Sequence, residues 1–171
     1  KAAVHAVFPV FEPHGTTYAY ISSWLSEELT GGAFPYVPYM LDLPEPTKNF
    51  RRELGISDEQ IVVGRYGGYD TFDIKFVKQK IVEIVSTDSK FIFLFLNTRP
   101  FVNHPNVKYI DPIYDPQTKS NFINTCDVFV HGRQMGESFG LSVCEPLSFN
   151  KPVLCWAGGR DRHHVKLLSG S

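Results

Sequence analysis

The sequence predicts an α/β protein built on a doubly wound parallel sheet. From Ile61 onward, short apolar runs alternate with longer amphipathic stretches, which is the pattern of consecutive β-α-β units. The runs are too uniformly apolar for a sheet with one solvated face, which favours strands buried on both faces. Right-handed crossovers bring the loops that follow such strands to one rim, where ligands bind. We therefore expect ligand-binding residues in loops 65–71, 131–138 and 156–162.

Five strands and four helices are predicted in this region. The strands are 61–64, 91–96, 107–110, 128–130 and 153–155, and the helices are 72–86, 116–124, 139–149 and 163–168. Apolar residues at helical spacing indicate the first helix. Pro116 suits the first turn of the second helix, because the N–H that proline lacks has no helical acceptor there.

The chain before residue 51 has a different organisation. A strand at 4–10 and a helix at 18–29 are predicted, and one strand with one helix cannot bury a core of its own. Residues 1–30 are therefore interpreted as a fragment of another domain. Four prolines follow between positions 35 and 46, so residues 31–50 are interpreted as a semi-rigid linker. Residues 51–171 form the main predicted domain, which we expect to be truncated at its C-terminus.

The composition excludes several classes of protein. The 171 residues are 43% hydrophobic and 20% charged, with a net charge of −1, which is typical of a globular chain and not of a disordered one. The sequence has no polybasic block, so its charge pattern does not indicate nucleic acid as a partner. The longest apolar run, 91–96, is too short to span a bilayer. Three cysteines lie among apolar neighbours without CxxC spacing, so we expect reduced thiols, no metal site and a cytoplasmic location.

The densest group of candidate site residues surrounds the start of the third predicted helix. Ser138 is predicted to cap this helix, which leaves the backbone N–H groups of residues 139–141 available to an anion such as a diphosphate. Gly140 has no side chain to keep a phosphate away. Glu145 lies roughly 9 Å deeper along the helix, where its carboxylate could accept both hydroxyls of a ribose. Glu137, in the loop before the helix, would face the group attached beyond the second phosphate.

Two other interpretations remain open from the residues alone. A glutamate near a helix start is favoured by the helix dipole, and the Ser-Phe-Gly segment could be an ordinary cap. A glycosidase-like pair formed by Glu137 and Glu145 is the weaker alternative. If both residues were helical, their backbones would be about 12 Å apart, farther than the roughly 5–9.5 Å that separates the carboxyl groups of such pairs.

The order of these residues resembles a known family. Glu137 and Glu145 are separated by seven residues, with Phe139-Gly140-Leu141 between them. The wider stretch 131–140, HGRQMGESFG, is similar to the form HxR..GE(S/T)FG of one branch. Together with the strand end Val63-Gly64-Arg65 and the segment 150–154, NKPVL, this pattern resembles the retaining GT-B glycosyltransferases of the glycosyltransferase group 1 family. The resemblance covers about residues 37–168.

The resemblance implies a Rossmann-like C-terminal lobe of a GT-B fold that binds a UDP or GDP sugar, with residues 1–30 as a remnant of the acceptor lobe. It implies transfer of a hexosyl group to an acceptor with retention of configuration, without a cofactor or an essential metal. Glu137, which would bind the donor sugar, and Arg65, which would stabilise the leaving phosphates, are the catalytic candidates. The donor-binding candidates are Glu145, Gly136, Ser138, Phe139, Gly140, Leu141, Arg133, Gly67 and Gly68.

The chain departs from the family at one point of the predicted phosphate site. The family usually has a lysine five or six residues after the arginine that ends its first strand, where this chain has Asp70 and Thr71. We expect Arg133, or the backbone amides of residues 67–68, to bind the phosphates instead. The structural alternative is that Arg65 or Arg133 simply forms an ion pair with Glu137 or Asp70.

Four further residues are weaker candidates for a binding cleft. Asn97 and Tyr114 follow predicted strands and would flank the base, although plain turns are the simpler interpretation. Arg160 lies in the glycine-rich run 158–164 and would contact the diphosphate or the other lobe. The two adjacent histidines of that run are expected to cap a helix or to face solvent, because they point in different directions and cannot share a metal. His14 is interpreted either as a buried structural histidine or as a cleft residue.

The expected function is therefore glycosyl transfer, with a glycan, a lipid or a protein as the acceptor. Because such enzymes react between two lobes, we expect this chain alone to bind nucleotide weakly and to transfer little sugar. A GT-B-fold sugar-nucleotide epimerase and a non-catalytic nucleotide-sugar-binding lobe remain as alternatives. An NAD-binding Rossmann domain is disfavoured because no GxGxxG opens a helix after the first strand of the sheet.

Overall fold

The computed structural model describes residues 1–169, so the last two residues of the predicted main domain lie outside the described part. The chain divides into two compact units. Unit 1 consists of Lys1–Leu41, Met135–Leu141 and Ala157–Ser171, and unit 2 consists of Asp42–Gln134 and Ser142–Trp156. The boundary after Leu41 falls inside the stretch predicted as a linker.

The described residues form nine strands and five helices. The strands are β1 (Ala3–Ala6), β2 (Thr17–Tyr20), β3 (Ile61–Arg65), β4 (Phe91–Leu96), β5 (Val107–Ile110), β6 (Val128–His131), β7 (Gly136–Glu137), β8 (Val153–Cys155) and β9 (Asp161–Arg162). The helices are α1 (Ser23–Thr30), α2 (Lys75–Thr87), α3 (Pro116–Thr125), α4 (Leu141–Ser148) and α5 (His163–Leu168).

Unit 2 is built on one parallel sheet. Its strands lie in the order β5-β4-β3-β6-β8, and every neighbouring pair is parallel. The chain moves outward in one direction from β3 and in the other direction from β6, so the order reverses between these two strands. The predicted doubly wound α/β sheet is confirmed, and its ligand crevice is expected at the carboxyl ends of β3 and β6.

Alternate residues of each strand pack on opposite faces of this sheet. Val62 of β3 and Leu94 of β4 lie in a core cluster with Phe122 of α3. Val63 of β3 lies in a second cluster with Ile81 of α2. Burial on both faces is the physical reason why the strands read as continuous apolar runs.

Gly64 allows the central strand to approach its neighbours closely. A Cβ atom at this position would lie 2.5 Å from Sγ of Cys126 and 2.7 Å from Cε1 of Phe129. No side chain fits between them, so glycine is required for this packing. The three cysteines are free thiols, as predicted.

Unit 1 contains the parallel pair β1 and β2, followed by α1. The prediction of a helix over 18–29 was wrong for residues 18–22, because Thr17–Tyr20 form a strand beside β1 and the helix begins at Ser23. Ser22 then caps α1, with its hydroxyl accepting the N–H of Leu25 at 3.2 Å. The alternation of aromatic and small residues in β2 favours a strand, and the capping serine marks where the helix begins.

The C-terminal part of the proline-rich stretch is tied to helix α3 within unit 2. The Asn121 side-chain oxygen accepts the backbone N–H groups of Thr47 and Lys48. The Thr125 hydroxyl accepts the N–H of Phe50. Within residues 1–169, no helix is long and apolar enough to cross a membrane.

Candidate functional site

Three side chains from three elements meet beside the predicted crevice of unit 2. Tyr66 follows the last residue of β3, Glu145 lies in α4 and Lys119 lies in α3. The Tyr66 hydroxyl donates to Oε2 of Glu145 at 2.6 Å, and Nζ of Lys119 lies 2.7 Å from Oε1 of the same carboxylate. Glu145 is therefore held by one neutral and one charged donor.

The surroundings of this carboxylate are largely closed to solvent. Glu145 is 6% exposed, and the Lys119 side chain is 23% exposed. Burial, followed by the nearby charge of Glu145, raises the pKa of Tyr66 well above its usual value, so the phenol stays protonated and donates. The Lys119 ammonium also lies 5.0 Å from the centre of the Tyr66 ring, which adds a cation–π contact to the ion pair.

This arrangement leaves a chemical role for Glu145. An ionised carboxylate offers about four acceptor positions. The Tyr66 hydroxyl and the Lys119 ammonium, which also lies 2.5 Å from Oε2, occupy up to three of them. A buried, oriented carboxylate with remaining acceptor capacity can bind a diol such as a ribose. Because α4 begins at Leu141, Glu145 lies about 6 Å along the helix rather than the roughly 9 Å expected, and its contact with a ribose stays a prediction.

Arg65, at the end of β3, is engaged with its own loop and the next strand end. Its guanidinium donates to the carbonyl of Gly68 and to the hydroxyls of Thr71 and Thr98, and it is 4% exposed. These bonds hold the loop after β3. Asp70 is paired with Arg99 at 2.5 Å, and Arg99 holds the pKa of this exposed carboxyl below its usual value through that hydrogen bond.

The glycine pair of the same loop is bonded by Asn97, the residue that follows strand β4. The Asn97 side chain donates to the carbonyl of Gly67 at 2.8 Å, and the Gly68 carbonyl accepts from the Thr71 hydroxyl. Asn97 has a positive φ of 48°, a conformation that asparagine tolerates better than most residues. The Asn97 side chain thus links the loop after β3 to the end of β4.

Two other candidates of unit 2 lie in loops. Arg133 follows β6 and is half-buried, whereas Tyr114 is 90% exposed. Their predicted contacts with phosphate and base stay predictions.

The first glutamate of the motif lies in unit 1. Gly136 and Glu137 form β7, which pairs in parallel with β9, so that Glu137 lies opposite Arg162. The two-residue strands β7 and β9 were not predicted, because the glycine-rich and charged loops that contain them have no apolar pattern. Gly136 has a φ of +83°, and a Cβ atom there would lie 1.9 Å from the carbonyl oxygen of Asp161.

The prediction that Ser138 caps the third helix of the sheet domain was wrong. Helix α4 begins at Leu141, and the Ser138 hydroxyl instead donates to the carbonyl of Val7 at 2.9 Å. Gly140, with a φ of +96°, lies between Phe139 and the first helical residue. A left-handed residue cannot continue a right-handed helix, which explains the later start.

The histidines of this region differ from their expected environments. His163 and His164 are buried, with exposures of 7% and 0%, so the prediction that they cap a helix or face solvent was wrong. They enter the interior because α5 packs against β7. His14 is exposed and its Nδ1 lies 2.6 Å from the Glu12 carbonyl oxygen, which excludes a buried structural role. Arg160 pairs with Asp161 through two hydrogen bonds.

The comparisons with known proteins find a likeness to solved structures. No protein-family profile matches the chain, and no curated protein matches it. A crystal structure of Anabaena Alr3699/HepE in complex with UDP and glucose superposes with a TM-score of 0.65 at 16% identity. The match covers 89% of this chain and 46% of the HepE chain, so the present chain spans about half of that chain's length.

The chain has a Rossmann-like α/β fold. At this level of identity, the likeness to HepE concerns the fold, and the predicted fold class is confirmed by it together with the strand order of unit 2.

The structure divides the predicted site residues between its two units. Those of the Rossmann-like sheet and its loops lie in unit 2: Arg65, Gly67, Gly68, Asn97, Tyr114, Arg133 and Glu145. The others lie in unit 1: His14, Gly136, Glu137, Ser138, Phe139, Gly140, Leu141 and Arg160.

Sequence reasoning missed Tyr66 and Lys119, although both left a signal. Tyr66 continues the alternation of β3 on the side of Val62, so period 2 places it on the α3 face of the sheet. Lys119 precedes the buried Phe122 and Ile123 by three and four residues, which is helical spacing along one face. A lysine on the buried face of a helix indicates a buried anionic partner.

Proposed function

We propose that this chain is the nucleotide-sugar-binding part of a glycosyltransferase that moves a hexosyl group from a nucleoside diphosphate sugar to an acceptor, with retention of configuration. The observation that carries the proposal is the carboxylate of Glu145 in helix α4, which Tyr66 and Lys119 orient. In a doubly wound sheet, ligands bind at the point where the strand order reverses, and that point lies between β3 and β6.

The likeness to HepE supports the choice of ligand. That protein was crystallised with UDP and glucose, which are the products of cleaving a UDP-glucose donor. We take UDP-glucose as the first donor to test, because its base and sugar are both named by that structure. The acceptor is a glycan, a lipid or a protein, and the second lobe of such an enzyme belongs to the same proposal.

The proposal assigns each part of the donor to a residue type suited to it. Glu145 accepts the ribose hydroxyls, and Glu137 accepts those of the sugar. Arg65 and Arg133 provide positive charge near the diphosphate, and the segment 139–141, which joins β7 to the start of α4, lies against its oxygens. Such donors stabilise the charge that develops on the leaving group, which in this proposal replaces an essential metal. The leaving phosphate then accepts the acceptor's proton on the face from which it departs.

The ribose assignment is tested by removing either partner of the contact. We expect the unaltered chain to bind UDP about tenfold or more tightly than 2′-deoxy-UDP, because a hydrogen bond to a charged acceptor is lost. In Glu145→Ala this difference disappears, since neither ligand has a carboxylate to meet. Glu83→Ala, which removes an exposed glutamate of unit 2, retains the difference.

Calorimetric or NMR titration gives the four affinities. A difference between UDP and 2′-deoxy-UDP that persists in Glu145→Ala excludes the ribose role of this residue. Failure of the unaltered chain to bind UDP, GDP and ADP excludes the proposed function itself.

A further inference from the structure

Glu137 is fixed in unit 1 by a buried histidine. Its backbone N–H donates to Nδ1 of His164 at 3.2 Å, and His164 is 0% exposed. A backbone N–H can only donate, so Nδ1 carries its lone pair and the imidazole proton lies on Nε2. The first turn of α5 therefore provides an acceptor for the main chain of β7.

The contacts around Glu137 and His164 restrict the main chain on both sides of this hydrogen bond. The N–H of Asp161 donates to the carbonyl of Met135 at 2.9 Å, and β7 and β9 pair in one register. A Cβ atom at Gly136 would lie 3.0 Å from Cε1 of His164, and one at Gly159 would lie 2.7 Å from the nitrogen of Gly136. Segments 135–140 and 159–164 thus pack with main chain against main chain, and His164 lies at the point where Glu137 leaves the pair.

The neighbouring histidine provides a built-in comparison. His163 is also buried and its ring stacks on Phe139 with 5.3 Å between centroids. Among the residues that the structure describes, its Nδ1 has no hydrogen-bond partner. The two adjacent imidazoles are therefore similar in size and burial but differ in whether a ring nitrogen accepts from Glu137.

We propose that His164 is a positioning residue for Glu137, which holds the main chain of this residue so that its carboxylate meets the hydroxyls of the donor sugar. The inference rests on the proposed function and extends it to a residue outside the glutamate motif. A hydrogen bond from a buried group to the backbone of a ligand-binding residue limits the directions that its side chain can take. At metal sites, loss of the hydrogen bonds that orient the ligating residues costs about 10- to 100-fold, and we expect an effect at the lower end of that range here.

The test uses matched substitutions in the full 171-residue chain. His164→Phe and His163→Phe each replace a buried imidazole by an apolar ring, but only the first removes the acceptor of the Glu137 N–H. His164→Asn restores an oxygen acceptor at about the position of Nδ1. Affinities for UDP-glucose and for UDP are measured by NMR titration, and exchange of the Glu137 amide proton is measured in the free protein.

We expect His164→Phe to weaken UDP-glucose binding about tenfold with little change for UDP, and to speed exchange of the Glu137 amide. His164→Asn restores both quantities, and His163→Phe changes neither. A merely structural role would weaken both ligands together, so an unchanged ratio of the two affinities in His164→Phe overturns the inference. An equal change in His163→Phe, or unchanged amide exchange in His164→Phe, also overturns it. If the unaltered chain binds neither UDP-glucose nor UDP, the proposed function fails, and amide exchange still decides whether His164 holds Glu137.

Discussion

The hydroxyl of Tyr66 donates a 2.6 Å hydrogen bond to Oε2 of Glu145, which joins the end of the central strand β3 to helix α4. Both residues are buried, with exposures of 8% and 6%. A carboxylate in such surroundings needs donors to compensate for the water it has lost. The bond therefore contributes both to the stability of unit 2 and to the direction in which Glu145 points.

Removing this hydroxyl should destabilise the protein. We expect Tyr66→Phe to lower the free energy of unfolding by about 2 kcal/mol, because a buried, charged acceptor loses a donor. Denaturant titration measures the change. Tyr69→Phe is the matched control, since Tyr69 is 48% exposed. An equal effect of the two substitutions would show that the bond to Glu145 contributes nothing specific.

The ion pair of Lys119 and Glu145 should matter more than a surface pair of the same type. Lys119→Met leaves the buried carboxylate without its cation, and we expect a loss of about 3 kcal/mol. Lys80→Met breaks the ion pair of Lys80 and Glu83, in which the two side chains are 61% and 63% exposed. We expect this variant to lose less than about 1 kcal/mol of unfolding free energy. The two variants are compared by denaturant unfolding, and similar losses would contradict the assigned burial of the Lys119 pair.

Two glycines with the same φ should differ sharply in their tolerance of alanine. Gly32 and Gly136 both have a φ of +83°, but a Cβ atom has open space at Gly32 and meets the Asp161 carbonyl oxygen at 1.9 Å at Gly136. Gly32→Ala therefore carries only the left-handed strain, about 1–2 kcal/mol. Gly136→Ala must also separate β7 from β9.

We expect Gly136→Ala to show a larger loss of stability than Gly32→Ala in thermal unfolding, and faster amide exchange in residues 136–137 and 161–162. Exchange rates in these residues that match those of the unaltered protein would contradict the close packing of β7 on β9.

Protonation of His163 should make stability depend on pH. Burial lowers the pKa of His163 from 6.5 to about 4, with Lys166 and His164 as smaller causes. The unfolded chain therefore binds this proton at a higher pH than the folded chain does. The contribution of neutral His163 to the free energy of unfolding is fully present above pH 6.5. It is lost as the pH falls towards 4, by about 3 kcal/mol in all.

The measurement is the difference in unfolding free energy between the unaltered protein and His163→Phe at several pH values from 7 to 4. We expect this difference to move by about 3 kcal/mol in favour of the variant as the pH falls. His14→Gln, which removes an exposed imidazole of unit 1, serves as the control. Parallel curves for the unaltered protein and His163→Phe would contradict the lowered pKa.

The order of strands and helices in unit 2 followed from local sequence. Strands β4, β5 and β8 and helix α5 have the predicted bounds, and Pro116 begins α3 as expected, with Asp115 capping it. These features depend on apolar runs, turn residues and capping residues that are close together in the chain. Such local signals are strongest where the alternation of apolar runs and amphipathic stretches is long, as it is in unit 2. This is why the fold class could be predicted.

The surroundings of the two motif glutamates were decided by the tertiary structure. Tyr66 is 79 residues from Glu145 in sequence and Lys119 is 26 residues from it, and His164 is 27 residues from Glu137. Local preferences also predicted a helix cap at Ser138, but the Ser138 hydroxyl donates to a carbonyl 131 residues away. The sequence by itself determined which segments form strands and helices, because that choice depends on neighbours along the chain. Only the folded chain decided which donors reach each carboxylate, because those contacts depend on how distant segments pack.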